Sequence, residues 1–440
     1  MKIKIEEALW SNLRTSLFHR KDVESAAVLF GEPLKTPTGV VVAIREAHIV
    51  PDAAYAIRRM DQISIDPIVM NRLTRPAQDR GMSVFTIHTH PGASEAWFSQ
   101  ADDVGDARLL PSLQCRIPDV PHGSIVMVGN GDAVARVAGE KYGFEETPLQ
   151  IVGRTLRFLD GNTGESEAWF ERQELALGAW GQSQLRRMRV GIIGLGGIGS
   201  LVALQLGHLG IGELVLMDGD LVEPSNVSRI AGATPKDAGV SYKVDVAARY
   251  AGSHGLVQRV ETHRTFLGPD GIPVLGSCDV VISCVDRQIP RALLNRAAYA
   301  FHLPVIDLGT AFRVDTTGRI VGDAGRVVVI GPGRPCLGCW GHLDPAALRI
   351  ESLSPKEREE EILAGYIDGA VEPQPSVIAF NGMVASAGVI ELLRLITGFA
   401  GVDSPPQRLA FSFSEGTVRR NQLGGHANCH VCGNRSRNSK

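Results

Sequence analysis

The 440 residues predict an α/β protein built as two domains. Three features carry that expectation. From Phe170 onward, apolar strands alternate with helices, the βαβ order that gives a parallel sheet covered on both faces. Before it, residues 1–145 mix short strands with helices, and one strand runs directly into the histidines of HTHP. Between the two, residues 146–168 include the polar, glycine-containing DGNTGESEAW and read as a linker. The expected organisation is 1–145, a linker at 146–168, 169–433, and a basic disordered tail, NRSRNSK, at 434–440.

Taken in order, IEEALWSNLRTSL has helical spacing, while SAAVLFG and GVVVAIREAHIV read as strands. MSVFTIHTH is a strand, SQADDVGDARLL a helix and SIVMVG a strand. In the second domain a helix, ERQELALGAWGQSQLRRM, leads to strand RVGIIG, helix SLVALQLGHLG and strand ELVLMD. Strands DVVISCV, PVIDLG and RVVVIG follow, then helix NGMVASAGVIELLRLITG and strand RLAFSFS.

Composition narrows the class. The chain is 44% hydrophobic and 21% charged, ordinary for a soluble globular protein. A formal charge of -3 gives no electrostatic case for nucleic acid or an anionic membrane. No apolar run approaches the roughly 20 residues of a membrane span. The N-terminal MKIKIEEALW lacks the apolar core of a secretory signal. These readings place the protein in the cytoplasm, where its seven cysteines are not disulfides by default. No internal repeat or low-complexity tract is visible.

His88 and His90 alternate on a strand and so share a face. With Asp102, at the start of the next helix and three residues after Ser99, they form a two-imidazole, one-carboxylate set. Such a set leaves a fourth zinc position for water, which the metal acidifies to a pKa of about 7. Hydrolysis also needs a base that is not a ligand, and Glu24, ahead of a buried strand, is the candidate. An HxH alone is usually incidental; Pro91-Gly92, the Ser99/Asp102 pair and Glu24 together make it a site. The arrangement resembles the JAMM/MPN metalloproteases, whose pattern is a distant Glu, HxHP and SxxD. The resemblance covers about the first 140 residues and implies a cytidine-deaminase-like α/β domain. It also implies catalytic zinc on His88, His90 and Asp102, with Glu24 as base and Ser99 as oxyanion stabiliser. Family members cleave beside the C-terminal glycine of ubiquitin-like proteins. One departure stands: eight residues separate His90 from Ser99, where the family usually has seven.

Gly194, Gly196 and Gly199 make a GxGxxG between a strand and a helix, with Gly197 inside it. Glycine lets backbone approach a phosphate, and the helix N-terminus favours its charge. Asp218, 19 residues past Gly199, suits a ribose hydroxyl. Both features also fit a dehydrogenase, so an NAD-binding oxidoreductase is the alternative. Asn226, Arg229 and Lys243 could surround a triphosphate, and Asp286 could hold Mg²⁺, neither of which a dinucleotide needs. FERQ at 170–173, GLGGIGS, MDGDLVEPSNVSR, Lys243 and CVD resemble the MoeB/ThiF family and the adenylation domains of ubiquitin-activating enzymes. The resemblance runs from about 170 to 432. It implies a Rossmann-like adenylation domain that uses ATP and Mg²⁺. Asp218 would hold the ribose; Asn226, Arg229 and Lys243 the phosphates; Asp286 the magnesium. Arg172 would reach the partner protomer's site in a homodimer. Lys243 lies one residue further from Arg229 than the family usually places it, and Arg287 stands where Asn is common.

Cys336, Cys339, Cys429 and Cys432 form two CxxC pairs with structural-zinc spacing. A closed Cys₄ site is structural, and it would tie the C-terminal segment back to the region around residue 336. Between Cys339 and the late helix, where an activating enzyme carries its catalytic cysteine, there is none. Cys284, Cys278 and Cys115 read as core residues, and the EREEE run as a solvated helix face. The expectation is adenylation of a small ubiquitin-like or sulfur-carrier protein without an enzyme thioester, and zinc-dependent cleavage at the same C-terminus. A conjugating-enzyme-like partner is a further implication. Such fusions resemble those of bacterial ubiquitin-like conjugation systems. An inactive metalloprotease domain serving as a binding module is the remaining alternative.

Overall fold

The computed structural model describes residues 1–139, 143–159, 167–367, 375–399 and 408–433. The expected tail at 434–440 and part of the expected linker, 160–166, lie outside the described residues. The chain divides into two compact units, Met1–Asn162 and Thr163–Asn434.

The first unit runs β1 (Lys2–Glu6), α1 (Glu7–Leu17), β2 (Ala26–Thr36), β3 (Gly39–Ile49), β4 (Tyr55–Arg58), β5 (Ile63–Ile65) and α2 (Pro67–Arg80). It continues with β6 (Ser83–Thr89), α3 (Gln100–Arg116), β7 (Gly123–Met127), β8 (Ala133–Ala138), β9 (Phe144–Glu146), β10 (Leu149–Val152) and β11 (Leu156–Phe158). Nine strands form one mixed sheet, β11-β10-β1-β3-β2-β6-β7-β8-β9, and β4-β5 make a separate hairpin. The period-two rule sorts its side chains to two cores. Ala27, Leu29, Phe85 and Ile87 join α1 through Trp10, Leu13 and Leu17. Ala26, Val28, Phe30 and Val84 join α2 and α3 through Met70, Ala77, Leu110 and Leu113. The parity of Val84 carries on to His88, and Ala26 pairs with His88 across β2 and β6. The strand alternation therefore directs His88 to the α2/α3 side of the sheet.

The second unit opens with α4 (Glu171–Arg187), β12 (Arg189–Ile193), α5 (Gly197–Leu209), β13 (Glu213–Met217), α6 (Lys243–Gly252), β14 (Arg259–His263) and α7 (Ile272–Gly276). It continues with β15 (Val280–Ser283), α8 (Gln288–Ala300), β16 (Val305–Val314), β17 (Ile320–Ile330), α9 (Pro345–Ser352), α10 (Pro355–Leu363), α11 (Ile378–Thr397), β18 (Arg408–Ser412) and β19 (Thr417–Asn421). Its sheet order is β14-β13-β12-β15-β16-β17-β18-β19, parallel through β16 and antiparallel beyond. The βαβ expectation holds for the first five strands of this order.

Three expectations change. The linker expected over 146–168 starts inside the first unit, since β10 and β11 pair at the edge of its sheet and residues 149–158 are two strands and the short link between them. The helix expected over 171–188 is two segments, because Gly178 sits at φ 74°, ψ 156°, a conformation open to glycine and closed to a helix. The expectation that no run approaches a membrane span also fails: α11, 20 residues long, is long and apolar enough to cross one by length and composition alone. Here α11 is a packed helix of the second unit, lying against α5, β16 and β17 with Val384, Ala385, Leu392 and Leu395 buried.

Candidate functional site

His88 is the penultimate residue of β6, which ends at Thr89, and His90 follows it, so extended backbone carries both rings to one face. Both are 8% exposed, and their Nε2 atoms are 3.3 Å apart. Asp102 enters from the first turn of α3, with Oδ1 3.0 Å from His88 Nε2 and Oδ2 3.5 Å from His90 Nε2. A zinc tetrahedron with bonds of 2.0–2.1 Å has edges of about 3.3 Å, so the three donors fit one zinc ion. Burial alone would raise the Asp102 carboxyl. Hydrogen bonds from His88, His90 and Ser99 outweigh it and hold Asp102 well below the usual carboxylate range. Glu24 stands beside the triad, its Oε1 3.8 Å from His90 Nε2. Burial pushes its carboxyl up to about 7 against the opposing pull of both histidines, which suits a proton acceptor near neutral pH.

Ser99 is committed to the helix start. Its Oγ donates to Asp102 Oδ2 at 2.7 Å and accepts from the Asp102 N–H at 3.2 Å, a capping box that also aims Asp102. Two supporting groups escaped the sequence reading. Arg58, on the β4-β5 hairpin, donates to the Glu24 carbonyl at 2.8 Å and to Ser25 Oγ at 2.7 Å, and lies 4.4 Å over the Tyr55 ring. Arg136, on β8, pairs with Asp106 at 2.7 Å and with Asp103, both on α3. Its guanidinium also sits 3.9 Å over the ring of Phe98, at the end of the longer loop that follows His90. Neither arginine belongs to a motif; only their incongruity beside apolar strand residues could have marked them. Trp97 meets the His90 ring edge-on at 5.2 Å and is half exposed.

In the second unit the glycine turn lies at the C-terminal end of β12, where α/β sheets hold ligands. Gly194 has φ +85°, and a Cβ there would come within 2.8 Å of the Cys284 carbonyl. A Cβ on Gly199 would lie 1.8 Å from the Gly194 carbonyl. Gly196 faces open space and caps α5 with no side chain, leaving the first amides of the helix for an anion. Asp218 follows β13, buried, accepting from Leu195 N–H at 2.6 Å and Asp220 N–H at 2.8 Å. Burial raises its carboxyl above the ordinary value. Arg229 lies beside the turn: its Cδ would be 3.5 Å from a Cβ on Gly197. Lys243 pairs with Asp220 at 2.7 Å, two residues from Asp218. Asp286 is exposed just past β15. Asn226 is buried and donates to Glu223 at 3.1 Å, within its own loop. Arg172 is exposed at the start of α4. Asn381, on α11, was missed: it is 1% exposed, packs against Gly197 and bonds Thr310 at 3.3 Å.

Cys284 is partly buried, and desolvation pushes its thiol far above the ordinary value, which leaves almost no thiolate to act as a nucleophile. Cys278 is buried as expected; Cys115, expected in a core, is instead exposed on α3 of the other unit. The four remaining cysteines converge. Cys336 Sγ lies 3.8 Å from Cys339 and 3.7 Å from Cys429, and Cys339 lies 3.5 Å from Cys432. A zinc tetrahedron with 2.3 Å bonds to sulfur has edges of about 3.8 Å. All four sulfurs lie within 4.8 Å of one another, so they fit a closed structural site.

The ThiF family model matches residues 170–432, and the model for prokaryotic homologs of the JAB domain matches 6–138. The adenylyltransferase and sulfurtransferase uba4 of Aspergillus fumigatus (strain CBS 144.89 / FGSC A1163 / CEA10) is 30% identical over 323 residues, 68% of this chain and 61% of the relative. The adenylyltransferase and sulfurtransferase MOCS3 of Drosophila willistoni is 28% identical over 309 residues, 69% of this chain and 59% of the relative. The chain thus spans about three fifths of the length of these curated relatives. Among solved structures, E. coli MccB with MccA-N7isoASN aligns with TM-score 0.49 and 20% identity over 61% of this chain and 75% of that one.

Proposed function

The chain belongs to the ThiF family and carries a JAB-type domain ahead of its ThiF domain, and on that premise we propose that it activates the C-terminal carboxylate of a small ubiquitin-like or sulfur-carrier protein by ATP-dependent adenylation. One observation carries the reading. The Gly194–Gly199 turn, Asp218, Arg229, Lys243 and Asp286 gather at the C-terminal end of the parallel strands β12, β13 and β15. A carboxylate oxygen attacks the α-phosphorus of ATP, the bond from that phosphorus to the bridging oxygen breaks, and pyrophosphate leaves. The free amides of α5 receive phosphate charge, and Arg229 and Lys243 add cations beside them. Asp286 would hold Mg²⁺, which neutralises charge on the phosphates. Asp218 suits the ribose. The relatives' names, adenylyltransferase and sulfurtransferase, support this chemistry. With the Cys284 thiol held protonated by desolvation and Cys278 in the core, the acyl adenylate would be the end product on this chain.

The first unit supports hydrolysis beside the same C-terminal glycine. His88, His90 and Asp102 would hold zinc, which supplies an acidified water, and Glu24 is placed to take a proton. The Cys₄ cluster would hold a second, structural zinc. Arg172 would complete a partner's nucleotide site in a homodimer, a conjugating-enzyme-like protein would receive the product, and the cytoplasm would be the setting. Glu24→Ala should abolish cleavage of a ubiquitin-like fusion while ATP–pyrophosphate exchange persists; Asp286→Ala should do the reverse. Loss of both activities in either variant would refute separable sites. NADH fluorescence quenching on binding would instead favour an oxidoreductase, and one zinc per chain instead of two would favour a silent N-terminal domain.

A further inference from the structure

A second charged cluster lies beyond the glycine turn in the ThiF unit. Asp307, on β16, is fully buried and pairs across the sheet with Ser283 of β15, just before Cys284 and Asp286. Two guanidinium groups share its carboxylate: Arg291 Nε donates at 3.1 Å, and Arg326 donates through Nε at 3.2 Å and a terminal nitrogen at 3.1 Å. Arg291 also donates to the carbonyl of Val285, the residue before Asp286, at 2.6 Å. A third guanidinium, Arg408 on β18, stands 5.8 Å from the Trp340 ring and has no carboxylate partner among the described residues. Three cations to one carboxylate leave a surplus of positive charge in a half-buried place. Burial and the charges of Arg326 and Arg408 hold His342 neutral, down at about 4, so it does not add to that surplus at neutral pH.

The cluster also holds unmade hydrogen bonds. Among the described residues, the buried donors Arg408 Nε and Trp340 Nε1 have no partner, and neither has His342 Nε2, which donates in its Nε2-protonated tautomer. A buried donor without an acceptor costs roughly 1–3 kcal/mol, and native proteins keep such donors chiefly where something fills them. Surplus positive charge and orphaned donors call for one kind of occupant, an oxyanion. Phosphate charge already has the α5 amides, Arg229 and Lys243 on the other side of Asp286 in the sheet order. An oxyanion on the polypeptide does not.

We propose that Arg291, Arg326 and Arg408, with Trp340 and His342, form a receiving site for the carboxylate that ends the polypeptide to be activated. The inference rests on the adenylation reading above. It gives that carboxylate a cationic, partly dry seat beside the strand end that carries Asp286.

The test uses the full chain and thermal unfolding, since a ligand of the native state raises the melting temperature. The probes are acetyl-Ala-Gly-Gly with a free carboxylate, the same peptide as its amide, and inorganic phosphate. The free acid should raise the melting temperature and the amide should not. Arg408→Gln should weaken the acid about tenfold or more, the loss of one charged hydrogen bond, while Arg408→Lys keeps most of the binding. Trp340→Phe removes one donor without removing charge and should weaken it less, so the inference stays testable should Arg408→Gln fold poorly. No shift with the acid, an equal shift with the amide, or a shift with phosphate alone would overturn it. ATP is run in parallel. A shift with ATP but none with the peptide sinks this inference alone; no shift with ATP sinks the adenylation reading.

Discussion

The His88–His90–Asp102 triad and the Cys336–Cys339–Cys429–Cys432 cluster both fit zinc, and they are built in opposite ways. The triad comes from one short segment, residues 88–102, already fixed by a strand and by a capped helix. The cysteines come from two segments 93 residues apart. The triad offers three donors and leaves a coordination place open, with Glu24 alongside; the cysteines offer four and close the site. The difference teaches where the metal's free energy goes. In the closed site, binding metal and joining two distant chain segments would be one event, so a metal there would be part of folding. In the open site, strand and helix place the donors through their own packing, so a metal there would serve chemistry and the fold would not depend on it.

The largest expected effect follows directly. Cys336→Ser should remove one zinc per chain and cost several kcal/mol, because Cys336 is 1% exposed and its loss uncouples the segment around Cys429. Calorimetry should show the melting of the ThiF unit lowered and that of the JAB unit unmoved. Chelation should reproduce the same asymmetry. Equal destabilisation of both units would break the contrast between a folding metal and a chemical one.

A smaller loss is expected from the support behind the triad. Arg136→Ala leaves Asp106 buried with its charge unpaired, which costs about 3–5 kcal/mol. Phe98 and Phe144 lose their cation as well, at 3.9 and 4.0 Å. Here the JAB unit should melt earlier, with or without zinc, because the arginine holds α3 whether or not metal is bound. A loss that appears only in the zinc-loaded protein would mean the triad is assembled by its metal after all.

The same contrast explains what the sequence disclosed. The triad was legible because its spacing is local: alternation on a strand and the first turn of a helix translate directly into shared direction. The Gly194–Gly199 turn was legible for the same reason. The cysteines were legible because CxxC is itself a local spacing, although nothing in sequence says which pair meets which. Arg58, Arg136 and Asn381 were not, since each acts on a residue 30 or more positions away through packing alone. Asp307 left a trace, a lone charge within PVIDLG, yet its two arginines come from α8 and β17. The break at Gly178 was hidden because glycine within a helix-like stretch reads as a cost and not as a stop. α11 was misjudged because scattered polar residues, Asn381 and Glu391 among them, masked its overall apolar character.

Ser99→Ala gives the smallest effect and the sharpest discrimination. The hydroxyl accepts from the Asp102 N–H and donates to the Asp102 carboxylate. Losing the cap should cost about 1 kcal/mol of JAB-unit stability. That cost belongs to the helix and should persist in chelator. Losing the donated bond loosens Asp102 as a ligand. Support of this kind is worth roughly 10–100-fold in metal affinity, but the Ser99 backbone N–H still holds the same oxygen at 2.6 Å, so the lower end is expected. Titrating zinc into the stripped protein and melting it with and without metal separates the two contributions. If the entire stability loss vanishes on chelation, the capping box is a product of the metal site and the helix is not its independent scaffold.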